Sequence, residues 1–362
     1  MINYSRLSIC VFFITIILIS LFMNKKKIKV IWIILFMSIS FAIFFGLRNF
    51  DIGKDTLQYI WRYETRLVRF DILFELISIV INYIFMGNKT LYLIMISFLI
   101  CWFTGLAIFK IIGNRKSVIY IFYLTMMMPY FILANINILR QGLATSFALL
   151  ALSFDLEGKN KIALFLFVCS GLCHKSLFLI IAVYYLVKIF KIRVKHLFCL
   201  TIVLIVFFNS QFMENILYYF STSPFVQKIF MRDATITGTY ILKYIFYFSF
   251  IIVFLLITKI FGKENNYLIQ FQKFPLSCLF SAALISFGKL NSTRILIILD
   301  FVLIVWGFLV IENLDYNKIP TYFQNIFSKK NKQKLYMVLI IFVTSYCMIS
   351  LFMNALTSDL KL

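Results

Sequence analysis

The chain has 362 residues, of which 62% are hydrophobic and only 14% are charged, and its formal net charge at pH 7 is +22. This composition excludes a soluble globular domain, because a soluble fold needs a polar surface. Continuous apolar runs recur along the chain, and each is long enough to cross a membrane as a helix, whereas membrane strands would alternate. We therefore predict an all-α, polytopic integral membrane protein with about 10–12 transmembrane helices in a single domain, 1–362.

The positive charge does not predict a nucleic-acid partner. Most lysines and arginines stand in short clusters at the ends of apolar runs, which is the pattern of membrane topology signals. The cysteines form no CxxC pair, and the sequence holds neither a Gly-rich nucleotide loop nor an HExxH motif. It therefore predicts no metal and no cofactor.

The first half of the chain begins with two apolar spans, 5–23 and 30–47, separated by lysines that we place in the cytoplasm. The charged segment 48–70 follows as a predicted outer loop, held at the membrane surface by its aromatic part, 59–63. The next apolar stretch, 71–86, is short, and we predict a re-entrant or interfacial helix there; a full crossing would change the side of the loop before it. Further spans are predicted at 91–109, 117–133 and 140–154, with an outer turn at Asn135 and Asn137 and an inner turn at 155–161.

The second half begins with a predicted hairpin of two short apolar halves. These halves, 162–173 and 176–190, are divided by His174 and Lys175, which the hairpin brings near the outer surface. Further spans are predicted at 196–213, 239–257, 274–287, 294–310 and 335–353, joined by an outer loop at 214–238, a turn at 289–293 and an inner loop at 312–334.

Five polar clusters fall on the predicted outer side of the membrane. Several arginines at one face suit a diphosphate, whose oxygens accept forked hydrogen bonds. An acid among them can accept a proton from a sugar hydroxyl, and a histidine can donate to a phosphate near neutral pH. The clusters are Arg48, Asp51, Lys54 and Asp55; Arg140 and Gln141; His174 and Lys175; Arg232 and Asp233; and Lys289 and Arg294.

Each cluster also has a structural interpretation. Arg48 fits a membrane anchor at a helix end, and Asp51 and Asp55 fit helix N-caps in a surface loop. Function explains Arg140 better, because its span consists of small and apolar residues among which a buried charge is costly. His174 interrupts an apolar run and leaves both interpretations open.

Three motifs occur in one order along the chain. The first, at 48–63, reads RNFDIGKDTLQYIWRY and resembles the R-x-x-x-x-G-x-D-x-x-x-Y signature of the EpsG family of Wzy-type polysaccharide polymerases. The second reads ILRQGLATSFALLAL and resembles the family's LRQ-x-LA helix, and the third reads GLCHKSLFLI and resembles its H-x-S hairpin. Together they cover residues 48–180, and the later segment NSTRILIILD also resembles a family segment.

The resemblance implies a glycosyltransferase-type polymerase. It would move a glycan chain from undecaprenyl diphosphate to the next lipid-linked repeat unit on the outer face of the bacterial inner membrane, without metal or nucleotide. The product would be O-antigen, capsule or exopolysaccharide. A relation to GT-C-type glycosyltransferase folds is a further expectation. Expected partners are the lipid-linked oligosaccharide, membrane lipids, a flippase and a chain-length regulator.

The same resemblance suggests roles for seven residues. An acid would be the base, or would bind the acceptor sugar, and the cations would hold the diphosphate. Asp55 is the first choice for the base and Asp51 the second; Arg48, Arg140 and Arg294 would bind diphosphate, with Gln141 and His174 assisting.

Two other functions fit the composition. A flippase for the same glycolipid would also be basic and polytopic, but it should show internal repeats and charges on both faces. A membrane acyltransferase would use a central histidine, but His174 has no acid at neighbouring helical spacing. Both alternatives stay open at the level of the sequence.

Overall fold

The computed structural model describes residues 6–25, 28–53, 55–65, 71–208, 237–262, 265–285 and 289–315. Within these ranges every regular element is an α-helix and no strand is present, which confirms the all-α prediction. The described residues form two compact groups, 6–175 and 176–315. The predicted single domain stays a prediction.

The helices are numbered in chain order through both groups. The first group holds α1 (Arg6–Lys25), α2 (Val30–Gly46), α3 (Thr56–Thr65), α4 (Ile72–Ile84), α5 (Lys89–Ile112), α6 (Ser117–Met127), α7 (Pro129–Ile136), α8 (Leu139–Leu156) and α9 (Asn160–Cys173). The second group holds α10 (Ser176–Ile189), α11 (Val194–Phe208), α12 (Thr237–Phe261), α13 (Asn266–Leu284) and α14 (Lys289–Glu312).

Helix α5 is central to the first group, and α2, α4, α6, α7 and α8 pack against it. Small residues allow a close approach, since a Cβ added at Gly46 would overlap Ile94. Between α5 and α8, the hydroxyls of Thr104 and Ser146 lie 3.0 Å apart. Close packing with hydrogen bonds between hydroxyls is how helices associate in apolar surroundings.

Two ion pairs mark opposite ends of the first group. Lys110, in the last turn of α5, contacts Glu157 at the end of α8, with Nζ and Oε1 2.6 Å apart. At the beginning of α8, Arg140 Nη1 lies 3.1 Å from Asp71 Oδ2. We call these two regions the Lys110 end and the Arg140 end. Because α5 and α8 run parallel, with their C-terminal ends joined by this first ion pair, α5 begins at the Arg140 end.

Both ends of α4 lie at the Arg140 end. Asp71, directly before α4, pairs with Arg140. Near the other end of α4, Asn82 Nδ2 donates to the carbonyl of Tyr63, 2.8 Å away, and the adjacent Glu64 pairs with Lys89 at the start of α5. Helix α4 therefore does not cross the first group, as predicted for a re-entrant or interfacial segment.

Only part of the predicted membrane topology is tested by helix length. Helix α5, with 24 residues, is long and apolar enough to cross a membrane by length and composition. Shorter apolar stretches of 10–17 residues, among them Val30–Gly46 and Ser176–Ile189, occur in other helices of the described residues. The predicted number of transmembrane helices therefore stays a prediction.

The prediction of a single helix over 117–133 is wrong, because two helices, α6 and α7, occupy this segment. The chain breaks between α6 and α7, where Met128 has an extended ψ of 135°. Pro129 causes the break, because its ring disfavours the helical conformation of the preceding residue and it has no amide hydrogen to donate. Proline then occupies the first position of α7, where its fixed φ is suitable.

Two boundaries in the second group also differ from the prediction. The predicted turn at 289–293 is helical, because polar residues are accepted in the first turn of α14. Helix α13 begins at Asn266 rather than 274, after Asn265, whose side chain accepts a hydrogen bond from the Tyr267 amide. Polar residues follow this N-cap, and in the sequence they resemble a loop rather than the first turns of a helix.

Several predictions fall outside the described residues. They concern Lys54, Arg232 and Asp233, loop 214–238 before residue 237, the inner loop beyond residue 315 and the span 335–353. Lys289 and Arg294 belong to α14 by their backbone, but the structure does not describe their side chains.

Candidate active site

Arg48 is fully buried and joins three segments of the Arg140 end. Its Nη1 donates to the carbonyl of Phe45 at 2.7 Å, in the last turn of α2. Its Nη2 donates to the carbonyl of Ile136 at 3.0 Å and to the hydroxyl of Thr56 at 3.4 Å. The guanidinium therefore connects the end of α2 with the end of α7 and the start of α3.

The turn after Arg48 holds Asp55 in place. Gly53 has a φ of +92°, and a Cβ there would lie 2.9 Å from the Ile136 carbonyl oxygen. Only glycine adopts this positive φ without strain and leaves room for the carbonyl oxygen. The Asp55 amide donates to Asn137 Oδ1 at 2.8 Å. Asp55 is half-buried, whereas Asp51 is exposed.

Arg140 is the second residue of α8 and lies between two groups from other segments. It pairs with Asp71, and the side chains are 26% and 15% exposed, respectively. Its guanidinium also donates to the hydroxyl of Tyr59. The pair is therefore neither a solvated surface pair nor a fully buried one.

Tyr59 was predicted to lie on the membrane surface, and this is wrong. Its side chain is only 3% exposed, and its ring packs against Phe74 of α4 with centroids 5.7 Å apart. Burial raises the pKa of the Tyr59 hydroxyl above its usual value, although the neighbouring Arg140 acts in the opposite direction. The charge of Asp55 also raises this pKa, so Tyr59 stays neutral.

His174 lies at the level of Arg140. The Ser170 hydroxyl of α9 donates to the carbonyl of Ala144 in α8 at 2.7 Å. From this contact, four residues lead to His174 along α9 and four lead back to Arg140 along α8, a rise of about 6 Å in each helix. The thiol of Cys173, next to His174, interacts electrostatically with the Asp71 carboxylate.

The Arg140 end thus brings together a subset of the predicted residues. Arg48, Asp51, Asp55, Arg140 and His174 belong to it by the contacts of their segments. Of the two predicted neighbours Arg140 and Gln141, Gln141 is buried and Arg140 is half-buried. Arg294 belongs to the second group.

Three residues of the site were missed in the sequence. Tyr59 occupies the last fixed position of the first motif, which was a usable signal. Asp71 and Asn137 carry no comparable local signal, because their partners lie 69 and 82 residues away in the chain.

The helices and this cluster define an all-α protein with a charged site at one end of a helix group. A sequence model of the EpsG family matches residues 31–360, so the chain belongs to the EpsG family. This is a family of Wzy-type polysaccharide polymerase-like proteins, and its members are membrane proteins. The family predicted from the three motifs is thereby confirmed. Comparison with curated proteins and with solved structures gave no match.

Proposed function

We propose that the chain is a multi-pass polymerase of the bacterial cytoplasmic membrane. It transfers a growing glycan from undecaprenyl diphosphate to the next lipid-linked repeat unit at the outer face, toward which the Arg140 end is directed. The observation that carries this proposal is the half-buried Arg140 guanidinium at the same end as Asp55 and His174, in a chain of the EpsG family.

The reaction requires a cation and a base. The oxygen of the acceptor hydroxyl attacks the anomeric carbon of the donor sugar, and the bond from that carbon to the diphosphate oxygen breaks. The diphosphate leaves with the bonding electron pair, and the hydroxyl proton passes to the base. A cation must therefore stabilise negative charge that grows on the leaving group.

Arg140 is suited to bind the leaving diphosphate. A guanidinium presents a planar fork of donors that matches phosphate oxygens. Because Arg140 is in the first turn of α8, the unpaired amides and the positive end of the helix dipole lie beside it. Both features favour an anion at this point.

Asp55 is the better of the two candidate bases. Its amide is fixed by Asn137, whereas Asp51 is exposed. A base must hold one position relative to the proton that it accepts. His174 donates a hydrogen bond to the diphosphate, and Arg48 positions the turn that carries Asp55.

The exposed face of α4 supports an orientation toward a membrane surface. Ile72, Leu76 and Tyr83 are exposed on this helix, whereas its polar residues Ser78 and Asn82 are buried. A helix with an apolar outer face and both ends at one level suits the interface between lipid and water.

The decisive experiment is polymerisation by the purified full-length chain. Lipid-linked repeat units are incubated with the protein, and the products are separated by length. We expect a ladder of polymers from the unchanged chain. We expect Arg140→Ala to lower the rate about 100-fold, as removal of one donor to a developing anion does in other enzymes.

Lys110→Ala is the matched control, because it also removes the cation of an interhelical ion pair, but at the opposite end. We expect it to retain the ladder. If Arg140→Ala and His174→Ala, at normal protein levels, still gave full-length polymer, the site assignment would be wrong.

The ladder also tests the alternative functions. A flippase would move lipid-linked units between the membrane leaflets without lengthening them, and an acyltransferase would modify them without lengthening them. Absence of a ladder from the unchanged chain, with either of those products, would reject the polymerase.

A further inference from the structure

Asp71 stands at a helix end without acting there as a cap. It is the N-cap residue of α4 and has the extended backbone of that position, with φ −80° and ψ 139°. An aspartate at this position ordinarily accepts a hydrogen bond from an amide of the first turn. The Asp71 side chain makes no such bond and instead contacts Arg140 at 3.1 Å.

Two favourable partners are therefore within reach of one carboxylate. One is the guanidinium of Arg140, which would lose its counterion if Asp71 moved. The other is the beginning of α4, where the first-turn amides and the helix dipole attract a negative group. Movement between them requires rotation of the Asp71 side chain.

We propose that Asp71 is an exchangeable counterion of Arg140 and that the substrate diphosphate replaces it, while the carboxylate moves to the N-cap of α4. The inference rests on the proposed function, since it takes the diphosphate to be the ligand of Arg140. It assigns Asp71 a positioning role, because the residue acts through Arg140.

Exchange keeps both charges satisfied throughout the reaction cycle. Before the substrate binds, Asp71 neutralises the half-buried guanidinium, for which an unpaired state would be costly. When the diphosphate binds, the hydrogen bond that Asp71 then forms at the N-cap of α4 compensates part of the free energy lost with the ion pair. When the lipid diphosphate must leave, the returning carboxylate competes with it for Arg140 and favours release.

Direct binding of inorganic pyrophosphate to the purified full-length chain tests the exchange. Asp71→Asn removes the competing charge but keeps a side chain that can cap α4. We expect its affinity for pyrophosphate to rise about tenfold, which is the weight of one charge-assisted hydrogen bond. A residue that only supported the fold would lower the affinity when changed.

Glu64→Gln is the matched control at the same end. It also neutralises a carboxylate in an ion pair, with Lys89 at 2.7 Å, and it changes the net charge equally. We expect its affinity to stay within about twofold of the unchanged chain, because surface charges act weakly. An equal rise in both variants would attribute the effect to general charge and overturn the exchange.

The movement to the cap has its own readout. Asp71→Ala removes both the charge and the cap, so it should bind pyrophosphate as tightly as Asp71→Asn but melt at a lower temperature. Equal melting temperatures would overturn the cap, and an affinity of Asp71→Asn at or below that of the unchanged chain would overturn the exchange.

Arg140→Ala separates this inference from the proposed function. If it abolishes pyrophosphate binding while Asp71→Asn binds no tighter, only the exchange is wrong. If it binds pyrophosphate like the unchanged chain, both the exchange and the diphosphate site are wrong.

Discussion

Arg48 and Arg140 lie at the same end of the first group of helices, yet their guanidiniums have different partners. Arg48 is fully buried and donates to the carbonyls of Phe45 and Ile136. Arg140 is 26% exposed and pairs with the carboxylate of Asp71. Bonds to buried carbonyls make an arginine part of the fold, because its removal takes a donor away from each of these acceptors. A partly exposed ion pair can exchange one anion for another. The partners of the two arginines are therefore the reason that we assign Arg48 a structural role and propose substrate binding for Arg140.

The largest expected effect is that of Arg48→Ala on stability. We expect the free energy of unfolding to fall by roughly 3–5 kcal/mol, because the Phe45 carbonyl loses its bond from the guanidinium and the Ile136 carbonyl keeps only the Thr56 hydroxyl. Arg140→Ala should lower it by less, about 1 kcal/mol, because its ion pair is partly screened by solvent. Thermal unfolding of both variants in detergent measures the difference. Equal losses would break the distinction between the two arginines.

The next effect concerns the turn that Arg48 supports. Gly53→Ala should lower the free energy of unfolding by about 2 kcal/mol, because alanine is strained at positive φ and its Cβ would meet the Ile136 carbonyl. Gly158→Ala is the matched control, with φ +78° and no neighbour within 4 Å of the added Cβ. Thermal unfolding should show a smaller loss there. Equal losses would show that the contact with Ile136 does not contribute to the free energy of unfolding.

The smallest effect is expected at the tyrosine beside Arg140. Tyr59→Phe removes one hydrogen bond to the guanidinium, so polymerisation should slow by about five- to tenfold. Because burial raises the pKa of Tyr59, the pH profile between about pH 6 and 9 should keep its shape.

Tyr63→Phe is the control for this change. Tyr63 is equally buried at 3%, and its hydroxyl donates a 3.5 Å hydrogen bond to the Asn88 carbonyl. An equal loss of rate in Tyr63→Phe would show that the loss of either buried hydroxyl of α3 slows the reaction, rather than the loss of the contact with Arg140.

Local signals in the sequence predicted much of the first group. The division of α9 from α10 at His174 and Lys175 followed from two polar residues in an apolar run. The short stretch 71–86 was predicted not to cross, because charge clusters on either side required an odd number of crossings. The break at Pro129 was also available, since the residue before a proline avoids the helix.

Partners that are distant in the chain could not be predicted. Arg48 was interpreted as a diphosphate ligand or membrane anchor, and its bond to Ile136 spans 88 residues. The pair of Arg140 with Asp71 spans 69 residues, and neither segment has a pattern that specifies the other. Charge and hydropathy indicate the end of the helix group to which a residue belongs, but they do not indicate its neighbour there.

The excursion formed by α3 and α4 has a consequence for how such proteins diversify. It leaves the helix group after Gly46 and rejoins it at Lys89 at the same end, so it adds no net crossing. Its length and sequence can therefore change without inverting any later helix. An inserted residue in α5 or α8, by contrast, would rotate every following side chain on that helix by about 100°. The topology thus leaves the length of this excursion unrestricted, whereas the contacts of Asp55, Tyr59 and Asp71 at the Arg140 end restrict its sequence at those positions.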